Sequence, residues 1–134
     1  MENIDILYDK VNSNYTYLES IMGAYYDGTL NYEAVLPALE ELKEKTIQTR
    51  DDCTNELVFD RVNQVIKYID DIMEAIYENK LNTNEVIPAL GELGMNMLGA
   101  QKYIAGTDEL LLTKIEDKEN VLADALASTK SNVR

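Results

Sequence analysis

Apolar side chains along this chain recur in steps of three and four, so a helical winding gathers them on one side. Val58, Val62, Val65, Ile69, Ile72 and Ile76 form one such ladder, widened by Phe59, Ile66 and Met73. An upstream ladder has the same form: Leu7, Val11, Asn14, Leu18, Ile21 and Tyr25, widened by Tyr8, Tyr15 and Met22. A later ladder, Val86, Leu90, Leu93, Met97, Ala100 and Ile104, is matched by Val35, Leu39, Leu42, Thr46, Thr49 and Cys53, whose second half is polar. Stripes this wide suit a bundle core better than the narrow seam of a two-stranded coiled coil. The periodicity predicts five helices, at about 4–28, 32–52, 55–79, 83–105 and 108–127, and no strand.

The ladders match because the chain resembles itself. Shifted by 51 residues, 9–42 aligns with 60–93, and 16 of the 34 positions are identical. We read this as an internal duplication of an antiparallel helical hairpin, repeat one over about 3–53 and repeat two over about 54–106. A half-repeat helix at about 107–127 closes the array, and the tail "STKSNVR" at 128–134 is expected to be frayed and disordered. The expected fold is all-α, a compact five-helix bundle forming a single domain over 1–127, favoured over a short solenoid because so few repeats cannot wrap far.

The strongest local echo is "LNYEAVLPALEEL" at 30–42 against "LNTNEVIPALGEL" at 81–93. Asn31 and Asn82 are suited to accept hydrogen bonds from the unpaired amides of a helix start. Leu30 with Val35, and Leu81 with Val86, are placed as hydrophobic staples, and Glu85 completes a capping box. Pro37 and Pro88 fall six residues beyond the caps, where each is expected to remove a backbone hydrogen bond and bend the helix. Thr54 and Thr107 are the expected caps of the third and fifth helices.

Charge changes the picture most. The chain of 134 residues has 25 acids, 12 Lys and Arg, and a net charge of −13. On the third helix Asp60, Asp70, Asp71, Glu74 and Glu78 project away from the ladder, opposed on that helix by Lys67 alone. Tyr26 with Asp27, and Tyr77 with Glu78, are expected to face outward as contact patches. Such a charge repels nucleic acid and anionic membranes, which are held through lysine and arginine, and attracts basic surfaces instead.

Chemistry is constrained by what is missing. With no histidine, the commonest general base and transition-metal ligand is absent. The six glycines form no phosphate-binding loop. The lone Cys53 has no basic neighbour to activate it and is expected to pack as a small residue between helices. An all-carboxylate magnesium site would need paired inward acids. Glu41 and Glu44 make one pair, while Glu56 and Asp60 lie on another helix. No catalytic, metal or cofactor site is expected. The longest uncharged run, "LGMNMLGAQ" at 93–101, is too short to cross a bilayer, which takes about 18–20 residues.

The fourth helix is apolar nearly all round, and burial between helices two, three and five is its expected role. The alternative is that Met95 and Leu98 form an apolar interface, which would permit a homo-oligomer. The leading expectation is a cytoplasmic, non-enzymatic adaptor or regulator that binds a protein with a basic surface. The alternatives are a nucleic-acid-mimicking inhibitor, such as a viral anti-defence protein, and an oligomeric assembly subunit. The residues proposed to bind are Asp60, Asp70, Asp71, Glu74, Tyr77, Glu78, Tyr26 and Asp27.

Overall fold

The structure, a computed structural model, describes residues 4–132. Its helices are α1 (Ile4–Tyr26), α2 (Val35–Asp51), α3 (Glu56–Tyr77), α4 (Val86–Ala105) and α5 (Glu109–Asn132), with a single 3-10 turn at Thr83–Glu85. No strand occurs among the described residues. Helix α5 continues past the expected end at 127, through much of the stretch expected to be frayed; residues 133–134 of that stretch lie outside the described residues.

The ladders become the core. Val58, Val62, Val65, Ile69, Ile72 and Ile76 are all buried, as are Val86, Leu90, Leu93, Met97, Ala100 and Ile104. On α2 the apolar half is buried, and so are Thr46 and Thr49. That polar end is satisfied internally: Asn14 Nδ2 donates to Thr49 Oγ1 at 3.0 Å, and the two threonine hydroxyls return to the carbonyls of Leu42 and Lys45. Buried polar groups with partners escape most of the desolvation penalty.

The first four helices close into a ring. Helices α1 and α3 each pack against α2 and α4, while α1 and α3 lie across one diagonal and α2 and α4 across the other, without packing contact. Helix α5 packs on the outside of α4. The fourth helix is therefore enclosed by α1, α3 and α5. The expectation that α2 would be its neighbour is corrected, because the hairpins stack so that the second helix of each faces the first helix of the other.

Contacts repeat at the same 51-residue offset. Tyr17 Oη donates to Glu41 Oε2 at 2.7 Å, and Tyr68 Oη to Glu92 Oε2 at 3.4 Å. Between hairpins, Gln101 Nε2 donates to Asn12 Oδ1 at 3.3 Å, and Arg50 Nη1 to Asn63 Oδ1 at 3.0 Å. Lys10 pairs with Asp52 at 2.6 Å where Arg61 lies over the ring of Tyr103. Even the ends of α1 and α3 agree, with Gly28 (φ 81°) and Asn79 (φ 58°) both left-handed. Glycine and asparagine are the residues that tolerate that conformation best.

The helix starts differ from expectation in detail. Asn31 Oδ1 accepts the Ala34 amide and Glu85 Oε1 accepts the Asn82 amide, but each α-helix begins after one further turn, at Val35 and Val86. Pro37 and Pro88 therefore stand in the first helical turn, where amides have no helical partner. Neither removes a bond. The caps of α3 and α5 are Asn55 and Asp108, one residue beyond the threonines expected, and each accepts two backbone amides.

Candidate functional site

Helix α5 covers one seam of the ring and leaves the matching seam open. On the covered side, Gly91 and Gly94 of α4 present bare backbone. A methyl group on Gly91 would stand 2.2 Å from Leu126 Cδ2, and one on Gly94 would stand 2.9 Å from Leu122 Cδ2, with Tyr15 and Leu18 just behind. The glycines are there because α5 lies against them. Helix α5 is pinned further by Lys102–Glu119 at 2.7 Å and by Lys118, whose ammonium reaches Asn12 Oδ1 and lies 5.6 Å from the centre of the Tyr15 ring. Partial burial lowers the pKa of Lys118, opposed by Glu19 and reinforced by Lys114. The buried Gln101 Oε1 beside this cluster has no hydrogen-bond partner among the described residues.

On the open side lies a groove of about 430 Å³ between α2 and α3, lined by Leu36, Pro37, Glu40, Met73, Glu74 and Tyr77. Its floor is apolar: Leu36 and Met73 are half-buried on the core, and Tyr77 is 80% exposed at one end. Glu40 and Glu74 supply charge from opposite helices. Neither makes an ion pair with another described residue, nor does Asp71. Asp70, one turn from Glu74, is bridged to Lys43 of α2 at 2.7 Å, and that hydrogen bond raises the lysine's pKa against partial desolvation. Glu78 pairs with Lys80 at 2.7 Å. The acidic row is thus opposed by Lys43 and Lys80 as well as Lys67.

Of the residues expected to bind, Asp60, Asp70, Asp71, Glu74, Tyr77 and Glu78 are all exposed along α3 or at its end. Glu74 and Tyr77 enter the groove. Tyr26 and Asp27 are exposed too, but at the end of α1, the diagonal helix, so they belong to a separate patch. The apolar interface is corrected. Leu98 is fully buried and Met95 is half-buried against the core, because α4 is covered on three sides. Leu36, Pro37, Glu40 and Met73 were not expected to form a site. Their signal in the sequence is only a ladder edge, a proline and one more acid, which acquire meaning when two helices meet.

No three His, Cys, Asp or Glu side chains among the described residues are grouped so as to hold a metal ion. Glu41 and Glu44 are exposed on α2, Glu56 and Asp60 on α3. Half-buried Cys53 lies just beyond α2, its thiol within 3.3 Å of the Thr49 carbonyl oxygen. No described helix is long and apolar enough to cross a membrane. No family model, curated protein or solved structure matches the chain.

Proposed function

We propose that this chain is a cytoplasmic, non-enzymatic adaptor or regulator that binds a protein with a basic surface through the uncovered face of α2 and α3. The supporting observation is the juxtaposition of apolar floor and unpaired carboxylates on one exposed seam. Apolar area supplies affinity, and acids around it supply orientation and speed of encounter. The hairpins are best understood as products of one duplication, after which α5 covered one seam and the other acquired charge. A nucleic-acid mimic ranks lower, because Lys43 and Lys80 interrupt the row Asp70, Glu74, Glu78. An oligomeric subunit built on α4 ranks lower still, since that helix is enclosed.

Capture from a source lysate with the wild-type chain and with D71K/E74K/E78K tests the reading. A basic protein retained by the wild type, released by salt and missed by the folded variant is the expected result. Equal retention by both removes α3 from the contact.

A further inference from the structure

We propose that the groove between α2 and α3 seats a single amphipathic helix of the partner protein, one with leucine-type side chains four residues apart and lysine or arginine along its flanks. This rests on the binding-protein reading above and names the chemistry of the partner.

The molecule contains a template for such a complex. Every residue lining the groove has a counterpart at the 51-residue offset: Ile87, Pro88 and Gly91 on α4, Met22, Gly23 and Tyr26 on α1. Helix α5 reaches that second seam from its α4 side, Leu122 and Leu126 set against Gly94 and Gly91, while Gly23 and Tyr26 stay open to solvent. The two seams share a frame, as the matched Asn12–Gln101 and Asn63–Arg50 contacts show. The α4 side of that second seam therefore accepts a helix with leucines at i and i+4.

The differences define how the second occupant must differ from α5. Where Gly91 and Gly94 admit α5 closely, α2 has Glu40 and Lys43. A helix on this side rides higher, touching Leu36, Met73 and Tyr77 rather than helix backbone. Glu74 stands opposite Glu40, and Asp71 lies one turn away, so cations along both flanks of the incoming helix meet unpaired carboxylates. A second copy of this chain fits poorly. Its net charge is −13, and its own α5 presents Glu116, Asp117 and Asp124 to solvent.

The test is a titration of the isotope-labelled full chain, followed by amide NMR, with a synthetic peptide of residues 109–127 carrying Glu109→Lys, Glu116→Lys, Asp117→Lys, Glu119→Lys and Asp124→Lys. The expected result is shifts concentrated at Leu36, Glu40, Met73, Glu74 and Tyr77. Affinity should fall about tenfold or more in E40K/E74K and in Tyr77→Ala, both surface changes that leave the core intact. Shifts spread over Asp60 and Asp71 without the groove overturn the seat while leaving the acidic face in place. Shifts at Gly91, Gly94 and Leu122 mean that the peptide displaces α5, which also overturns it. So does concentration dependence at the groove without peptide, which makes a second copy the occupant, and so does absence of binding. In each case the D71K/E74K/E78K capture judges the broader reading separately.

Discussion

The hairpins α1–α2 and α3–α4 use nearly the same inward ladder and meet different fates on the outside. Leu39 and Leu90 are counterparts, both fully buried, and both sit where a helix faces the ring's interior. One position further along, Glu40 is exposed to solvent while Gly91 is buried beneath α5. The inward pattern is constrained by the same close packing in both hairpins, so it varies little. The outward pattern answers to whatever lies beyond, which is α5 for the second helix of one hairpin and an open groove for the second helix of the other.

The sharpest attempt to break this equivalence is at the core. Leu39→Ala and Leu90→Ala should each cost about 2–5 kcal/mol in chemical denaturation, as large-to-small changes at filled sites do. A much larger loss at one would show that the hairpins do not share the load. Next comes the outer difference. Gly91→Leu forces a side chain into Leu126 and should cost about 1–3 kcal/mol, with amide protection lost selectively along α5 in hydrogen exchange. Glu40→Leu at the matching position should stay within about 0.5 kcal/mol, since it faces only the groove.

A further effect separates the hairpins by pH. Hairpin one carries buried Tyr15 where hairpin two has Ile66. Burial, with help from Glu19, pushes the Tyr15 hydroxyl from 10.0 up to about 12. A raised phenol favours the folded state by staying protonated there. Its contribution is complete below the unfolded value of 10.0 and is lost as pH rises toward about 12. By about pH 11 the loss from this residue should be on the order of 1 kcal/mol. Tyr15→Phe should flatten the alkaline limb of a denaturation series, whereas an unchanged limb would remove Tyr15 as its source.

Much of the fold was legible because amphipathic periodicity is a local property. Each predicted ladder is buried or half-buried, and the predicted helices match the observed ones within a few residues. Misplaced boundaries arose where two local signals competed. Asn31 and Asn82 do act at their corners, but a turn intervenes before the prolines, and Asn55 and Asp108 cap in place of the neighbouring threonines. The candidate site was half legible: outward acids and Tyr77 follow from the helical wheel, whereas the groove combines residues from two helices.

By itself the sequence determined which side of each helix avoids water, because that depends only on spacing along one chain segment and on the free energy of apolar burial. It did not determine which helices become neighbours. Leu98 and Leu36 both lie off the main ladders, yet one is sealed by surrounding helices and the other lines an open groove. Only the tertiary arrangement decided that, because a single fifth helix covers a single seam and settles where glycines let it approach most closely.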